Sequence, residues 1–340
     1  VFAQCFWESV LHWASTALSL TGSWQNEVQP KMRSALQGVF LSLNLPKHLK
    51  TNNLRQPFYI KLGKLLVLGF FVLAGSLFFL FPQIFYCELI RLSDFRPSDK
   101  GQIYFSPDIK PVYYKRLKSI IDRSEARVDS FYNGKKSKST IIVCSNPQQY
   151  QKYCSSTEGA GCSLGTPWGQ SYIILNAQGM NVDVISHEMS HTELLARLGW
   201  WTTATEVPQW FNEGVALMLD RRFVNNPDIT GRYFEYMDEW LYYTGGGQEV
   251  IELRDIESIK GFFNASQKKV MLAYMSAGLE VSYWLILSEN QGLQRLIGEM
   301  KNGKSFEEAY RKAEEKQRAA MFKKLPTNPL RFQESKKISE

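Results

Sequence analysis

NVDVISHEMSHTELLARLG, residues 181–199, decides how this chain is read. His187 and His191 stand four residues apart with Glu188 beside the first, and Leu194, Leu195 and Leu198 follow at helical spacing. On a helix, positions i and i+4 share one face with Cβ atoms about 6 Å apart, so two imidazoles point at one spot, as two corners of a tetrahedral Zn²⁺ site demand. Glu188 falls on the adjoining flank. From there a carboxylate reaches water at the metal without ligating the ion, which is what a general base requires. The plainer alternative is a surface helix whose two histidines fall at this spacing by chance. The setting argues against it: a strand-like run, SYIILNA (171–177), precedes the helix, Asp183 lies near its start, and Gly199 stands past its end as a C-cap.

Downstream, the scarcity of histidine is informative. The only others are His12 and His48, far towards the N-terminus, so a third protein ligand must be Asp, Glu or Cys. VPQWFNEGVALMLDRR (207–222) carries Trp210, Phe211, Val215, Leu217, Met218 and Leu219, an almost wholly apolar helix interrupted by Asn212 and Glu213. A carboxylate in so apolar a setting is paired, protonated or bound to metal. Glu213 is the expected third ligand.

Upstream, the pattern alternates. IYFS (103–106) reads as a strand, 111–131 as a helix, STIIVCS (139–145) as a strand, and Asn146 caps a short helix that begins with Pro147. A Gly-rich loop, Gly159 to Gly169, then leads to the strand at 171–177, and the whole reads as an α+β domain. Of the five cysteines, Cys144, Cys154 and Cys162 fall here. Cys154 and Cys162 flank a Gly-containing turn, so a local disulfide is feasible, with small buried thiols as the alternative. No CxxC pair supports a cysteine zinc site.

HExxH followed by Trp210-Phe211-Asn212-Glu213-Gly214 resembles the gluzincin metallopeptidases, in particular the peptidase-MA-like superfamily related to aminopeptidase N. The resemblance implies a zincin-like domain over 98–313, with a small mixed sheet, the HExxH helix and a C-terminal helical subdomain. It implies Zn²⁺ held by His187, His191 and Glu213, Glu188 as general base, and a peptide or protein substrate. By the same similarity Tyr274, on the helical stretch 270–313, is the phenol that stabilises the tetrahedral intermediate, core packing being its other possible role. The strand at 171–177 would be the edge to which an extended peptide adds. The 21 residues between His191 and Glu213 exceed the spacing of the aminopeptidase N branch, and no GAMEN-type motif precedes the helix, so aminopeptidase specificity does not carry over. The rival from another class is a membrane-anchored binding or scaffold protein with a structural or inactive zinc site.

The 340 residues carry a net charge of +7, and that excess is local. Between residues 28 and 64 lie seven basic residues and no acid, so the remainder balances at 33 of each sign. Leu65 to Cys87 then runs for 23 residues without a formal charge, long enough to span a bilayer core of about 20 helical residues. The basic flank places the N-terminal segment (1–64, its true start left open) in the cytoplasm and the domain after the span in a periplasm or its equivalent. This flanking role accounts for the basic charge, and no nucleic-acid partner is expected. Residues 314–340, rich in Lys, Glu, Gln and Ser, read as a charged tail.

Overall fold

The computed structural model describes residues 62–69, 75, 78, 80–98, 101–156, 159–289 and 291–314. Most of the expected cytoplasmic segment, part of the expected span at 65–87, and the tail from 315 onward lie outside the described residues. The chain divides into two units between Leu89 and Ile90. In the N-terminal unit, 62–69 is helical with Leu65, Leu66, Val67 and Leu68 exposed, and α1 covers Pro82–Glu88.

From Ile90 onward the fold is α+β, around a five-stranded mixed sheet. The strands are β1 (Arg96–Ser98), β2 (Ile103–Phe105), β3 (Thr140–Val143), β4 (Gly161–Gly165) and β5 (Ser171–Leu175), in the order β1-β2-β3-β5-β4. β2, β3 and β5 are parallel, and β1 and β4 close the two sides antiparallel. The central strands are runs of Ile, Val, Tyr and Phe because helices cover both faces; every residue of β2 and β5 is buried. α2 (Val112–Tyr132) makes the crossover from β2 to β3, and α3 (Pro147–Cys154) the first part of the path from β3 to β4.

Two expectations change here. The Gly-rich stretch taken as a loop contains strand β4, and β5 is not an edge, because β4 pairs along its outer side from Gly161↔Leu175 to Gly165↔Ser171. Among the described residues, the edge strand on this side is therefore β4. Gly161 explains why a strand can run there: a Cβ on it would lie 2.9 Å from Val184 Cγ1 and 3.3 Å from Glu188 Oε1. The strand passes directly over the HExxH helix only because that position has no side chain.

The remaining elements are α4 (Val182–Leu198), α5 (Trp200–Thr205), α6 (Gln209–Leu217), α7 (Ile229–Thr244), α8 (Ile259–Phe263), α9 (Gln267–Ser288), α10 (Gly292–Lys301) and a last helix over 306–314. α9 is, among the described residues, the one helix long and apolar enough to cross a membrane, and 56% of its apolar window is buried. It is the central helix of the helical half, flanked by α6 and α7, with Leu272, Ala277, Val281 and Trp284 in the core. Gly214 lets α6 press against it: a Cβ there would come within 2.6 Å of the Ala277 carbonyl oxygen and 2.5 Å of Val281.

Candidate metal centre

α4 begins where the Asn181 side chain accepts from the Val184 N–H (3.0 Å), and it is fixed from behind by buried polar contacts. Arg127 of α2 pairs with Asp183 at 2.6 Å and also donates to the Leu219 carbonyl at 2.7 Å. The Tyr132 hydroxyl meets Ser190 Oγ at 2.8 Å. Glu193, fully buried, accepts from the N–H groups of Lys136 and Ser137 and from Arg197 Nε, each at 2.8 Å, while Arg197 also donates to the Gly134 carbonyl.

On the side of α4 turned to α6, His187 and His191 present their Nε2 atoms to Glu213. His187 Nε2 lies 3.3 Å from Glu213 Oε2 and His191 Nε2 lies 3.7 Å from Oε1. The three potential ligand atoms all fall within 4.8 Å of one another, and all three residues are buried. The expected triad is thus brought together on two helices, with 21 residues of chain between His191 and Glu213.

The partners of each group favour a cation at the centre. His191 Nδ1 is 2.9 Å from Asn212 Oδ1, an oxygen that can only accept, so the proton sits on Nδ1 and the Nε2 lone pair is left for a ligand. Behind His187, Asp220 Oδ2 lies 3.4 Å from Nδ1, a charge contact outside hydrogen-bond geometry, and the same carboxylate is gripped by Arg222 through Nε at 3.0 Å and Nη2 at 2.5 Å. Gln209 Nε2 donates to Glu213 Oε1 at 2.7 Å. Glu213 Oε2 is buried with no hydrogen-bond partner among the described residues, in a side chain only 1% exposed. An unsatisfied carboxylate oxygen facing two imidazole nitrogens is the donor set of a divalent metal site, and the residues present fit one.

Electrostatics agree. Burial works against the charged form of His187, but the carboxylates of Asp220 and Glu213 outweigh it and raise its pKa to about 10. Burial lowers the pKa of His191. Burial opposes ionisation of Glu213 too, yet the neighbouring imidazoles hold its carboxyl below the usual range. With Asp220 paired to Arg222, a proton on His187 offsets the charge of Glu213; a divalent cation would take over that role and displace the proton.

The triad opens into a cleft of about 870 Å³. Glu188 lines it, buried, outside the group of ligating atoms but next in sequence to His187. β4 and the end of α3 form one wall, with Cys154 joined to Cys162 by the feasible disulfide while Cys144 stays a buried free thiol. α8 and α9 form the other. Tyr274 stands on this second wall, partly buried, edge-on to Phe262 at 5.0 Å. Burial first, then the charges of Glu213 and Glu188, push its phenol well above its ordinary pKa, so it is a donor at neutral pH.

Sequence reasoning did not find Gln209 or Asp220, and it saw Asn212 only as an interruption of an apolar helix. The signal for Asp220 was present: an acid at the end of the run VALMLD, as anomalous there as Glu213 was. No protein-family model matches the chain and no curated protein matches it, so the chemistry of the site rests on its own geometry.

Proposed function

We propose that this chain is a membrane-anchored, zinc-dependent peptidase of gluzincin type, with a zincin-like catalytic domain that acts outside the cytoplasm. One observation carries the reading: Glu213 Oε2, buried and unpartnered, faces His187 and His191 at the floor of a cleft whose wall carries Glu188. His187, His191 and Glu213 would hold the ion. Zn²⁺, when bound in such a three-residue site, supplies Lewis acidity and lowers the pKa of water towards about 7.

The chain's own groups supply the rest. Glu188 accepts a proton from the attacking water and returns it to the leaving amine. Tyr274, held protonated, donates to the oxygen on which negative charge develops. The edge of β4, with no strand on its outer side among the described residues, offers main-chain donors and acceptors to an extended peptide in the cleft. Asn212 and Asp220 keep the two imidazoles turned with Nε2 inward. The basic flank and apolar run at 65–87 support a single span with the N-terminus in the cytoplasm.

Glu188→Gln in the full chain tests this. The variant should keep its zinc, measured by elemental analysis, and lose at least about 10²-fold in cleavage of a diverse peptide pool, the loss typical of a removed general base. Chelator-insensitive cleavage, or a metal-loaded parent that cleaves nothing, would favour the scaffold reading instead.

A further inference from the structure

We propose that the hydroxyl of Tyr150 is a second hydrogen-bond donor to the ligand in this cleft, given to a carbonyl oxygen on the β4 side of the metal and opposite Tyr274. The proposal rests on the peptidase reading. Tyr150 belongs to α3, whose start is set by Pro147 and by Asn146 accepting from the Gln149 N–H at 2.9 Å, and whose last residue, Cys154, is tied to β4 by the disulfide to Cys162. The ring is therefore held in place, 1% exposed, and it lines the same cleft as His187, Glu188 and Glu213.

Its hydroxyl has no hydrogen-bond partner among the described residues. Other buried phenols of the domain are satisfied: Tyr132 by Ser190 and Tyr236 by the Leu217 carbonyl. Tyr114 shares the lack but does not line the cleft. An unmet buried hydroxyl costs stability, and at the wall of a cleft it is a place an arriving acceptor can fill. Gly159, with φ +87°, packs beside the hydroxyl, where a Cβ would stand 3.7 Å from Tyr150 Oη. Burial, and then the nearby charge of Glu188, raise the phenol's pKa, so it keeps its proton and can give it in a hydrogen bond. A carbonyl is the matching partner, and an anion beside Glu188 is not.

Tyr150→Phe removes one oxygen and nothing else. In the full, zinc-loaded chain, affinity for a dipeptide hydroxamate, measured by calorimetry, should fall about 5- to 20-fold, the range for one lost hydrogen bond in a buried site. Peptide kcat/KM should fall in parallel, while zinc content is unchanged and Tm holds or rises, because the free protein loses an unsatisfied group. A purely packing role predicts the same Tm and zinc but hydroxamate affinity within twofold of the parent, and that result overturns the proposal. Loss of fold or zinc in Y150F would make the oxygen structural and overturn it equally. Should the zinc-loaded parent neither bind the hydroxamate nor cleave peptides, the peptidase reading fails and takes this inference with it.

Discussion

The two helices that build the metal centre are held in opposite ways. α4, which supplies both imidazoles, is anchored from behind by buried polar groups: Glu193 with Arg197 and two backbone N–H groups, Tyr132 with Ser190, and Arg127 with Asp183. α6, which supplies Glu213, makes no such network on its outer side among the described residues. It is seated by close apolar packing on α9, with Gly214 against Ala277 and Val281 and Phe211 edge-on to Trp284 at 5.5 Å. Directional bonds fix how α4 is rotated about its axis, whereas apolar contact fixes how near α6 can come. Both orienting contacts across the centre, Asn212 to His191 and Asp220 to His187, come from the α6 side, so the imidazoles are aimed only once the two helices have docked.

The largest effect should come from breaking the α4 anchor. Glu193→Ala leaves Arg197, itself 7% exposed, and the Lys136 and Ser137 N–H groups without their acceptor. Removing one partner of a buried ion pair costs about 3–5 kcal/mol, which chemical denaturation of the domain should register. A loss below about 1 kcal/mol would mean that α4 is not held this way. Next comes the α6 seat. Gly214→Ala must push α6 off α9, since its new methyl would overlap a backbone carbonyl that cannot turn aside. Overpacking of this kind costs about 1–3 kcal/mol. Because Glu213 moves with the helix, zinc affinity should fall along with stability, whereas Glu193→Ala should act mainly on stability. Equal ratios of the two losses in both variants would erase the distinction between anchor and seat.

What the sequence revealed follows the same division between local and distant causes. The α4 helix was legible from the helical spacing of Leu194, Leu195 and Leu198 and its bounding Gly199, and α3 from Asn146-Pro147, because caps and periodicity act within a turn or two. Glu213 was legible as a carboxylate in an apolar run. β4 was not, since GCSLG carries glycines at both ends for a tertiary reason, to clear Val184 and Leu195 on α4, and glycine in isolation reads as loop. With β4 missed, β5 was taken for the edge. The end of α6 was misread similarly: the apolar run continues to Leu219, yet the helix stops at Leu217. Arg232, fully inside the domain, donates to the carbonyls of Leu217 and Asp220 at 2.6 Å each, so a residue on another helix provides the partners that a further turn would have supplied.

Asp220 follows the end of α6 by three residues and lies 3.4 Å behind His187. Its substitution sharpens the comparison at the lowest cost to the fold. Asp220→Asn keeps the volume, and Arg222, partly exposed, can turn to water. The lost charge is felt by His187, whose Nε2 becomes a poorer donor to the metal. Zinc affinity should drop about 10- to 100-fold, the range for removing a carboxylate behind a ligating imidazole, and the metal-free protein should lose stability as well, because His187 loses a charged partner. Measured by competition with a chelating dye, an unchanged zinc affinity would show that α6 seats the site without aiming it, and that the orientation of His187 is set by α4 alone.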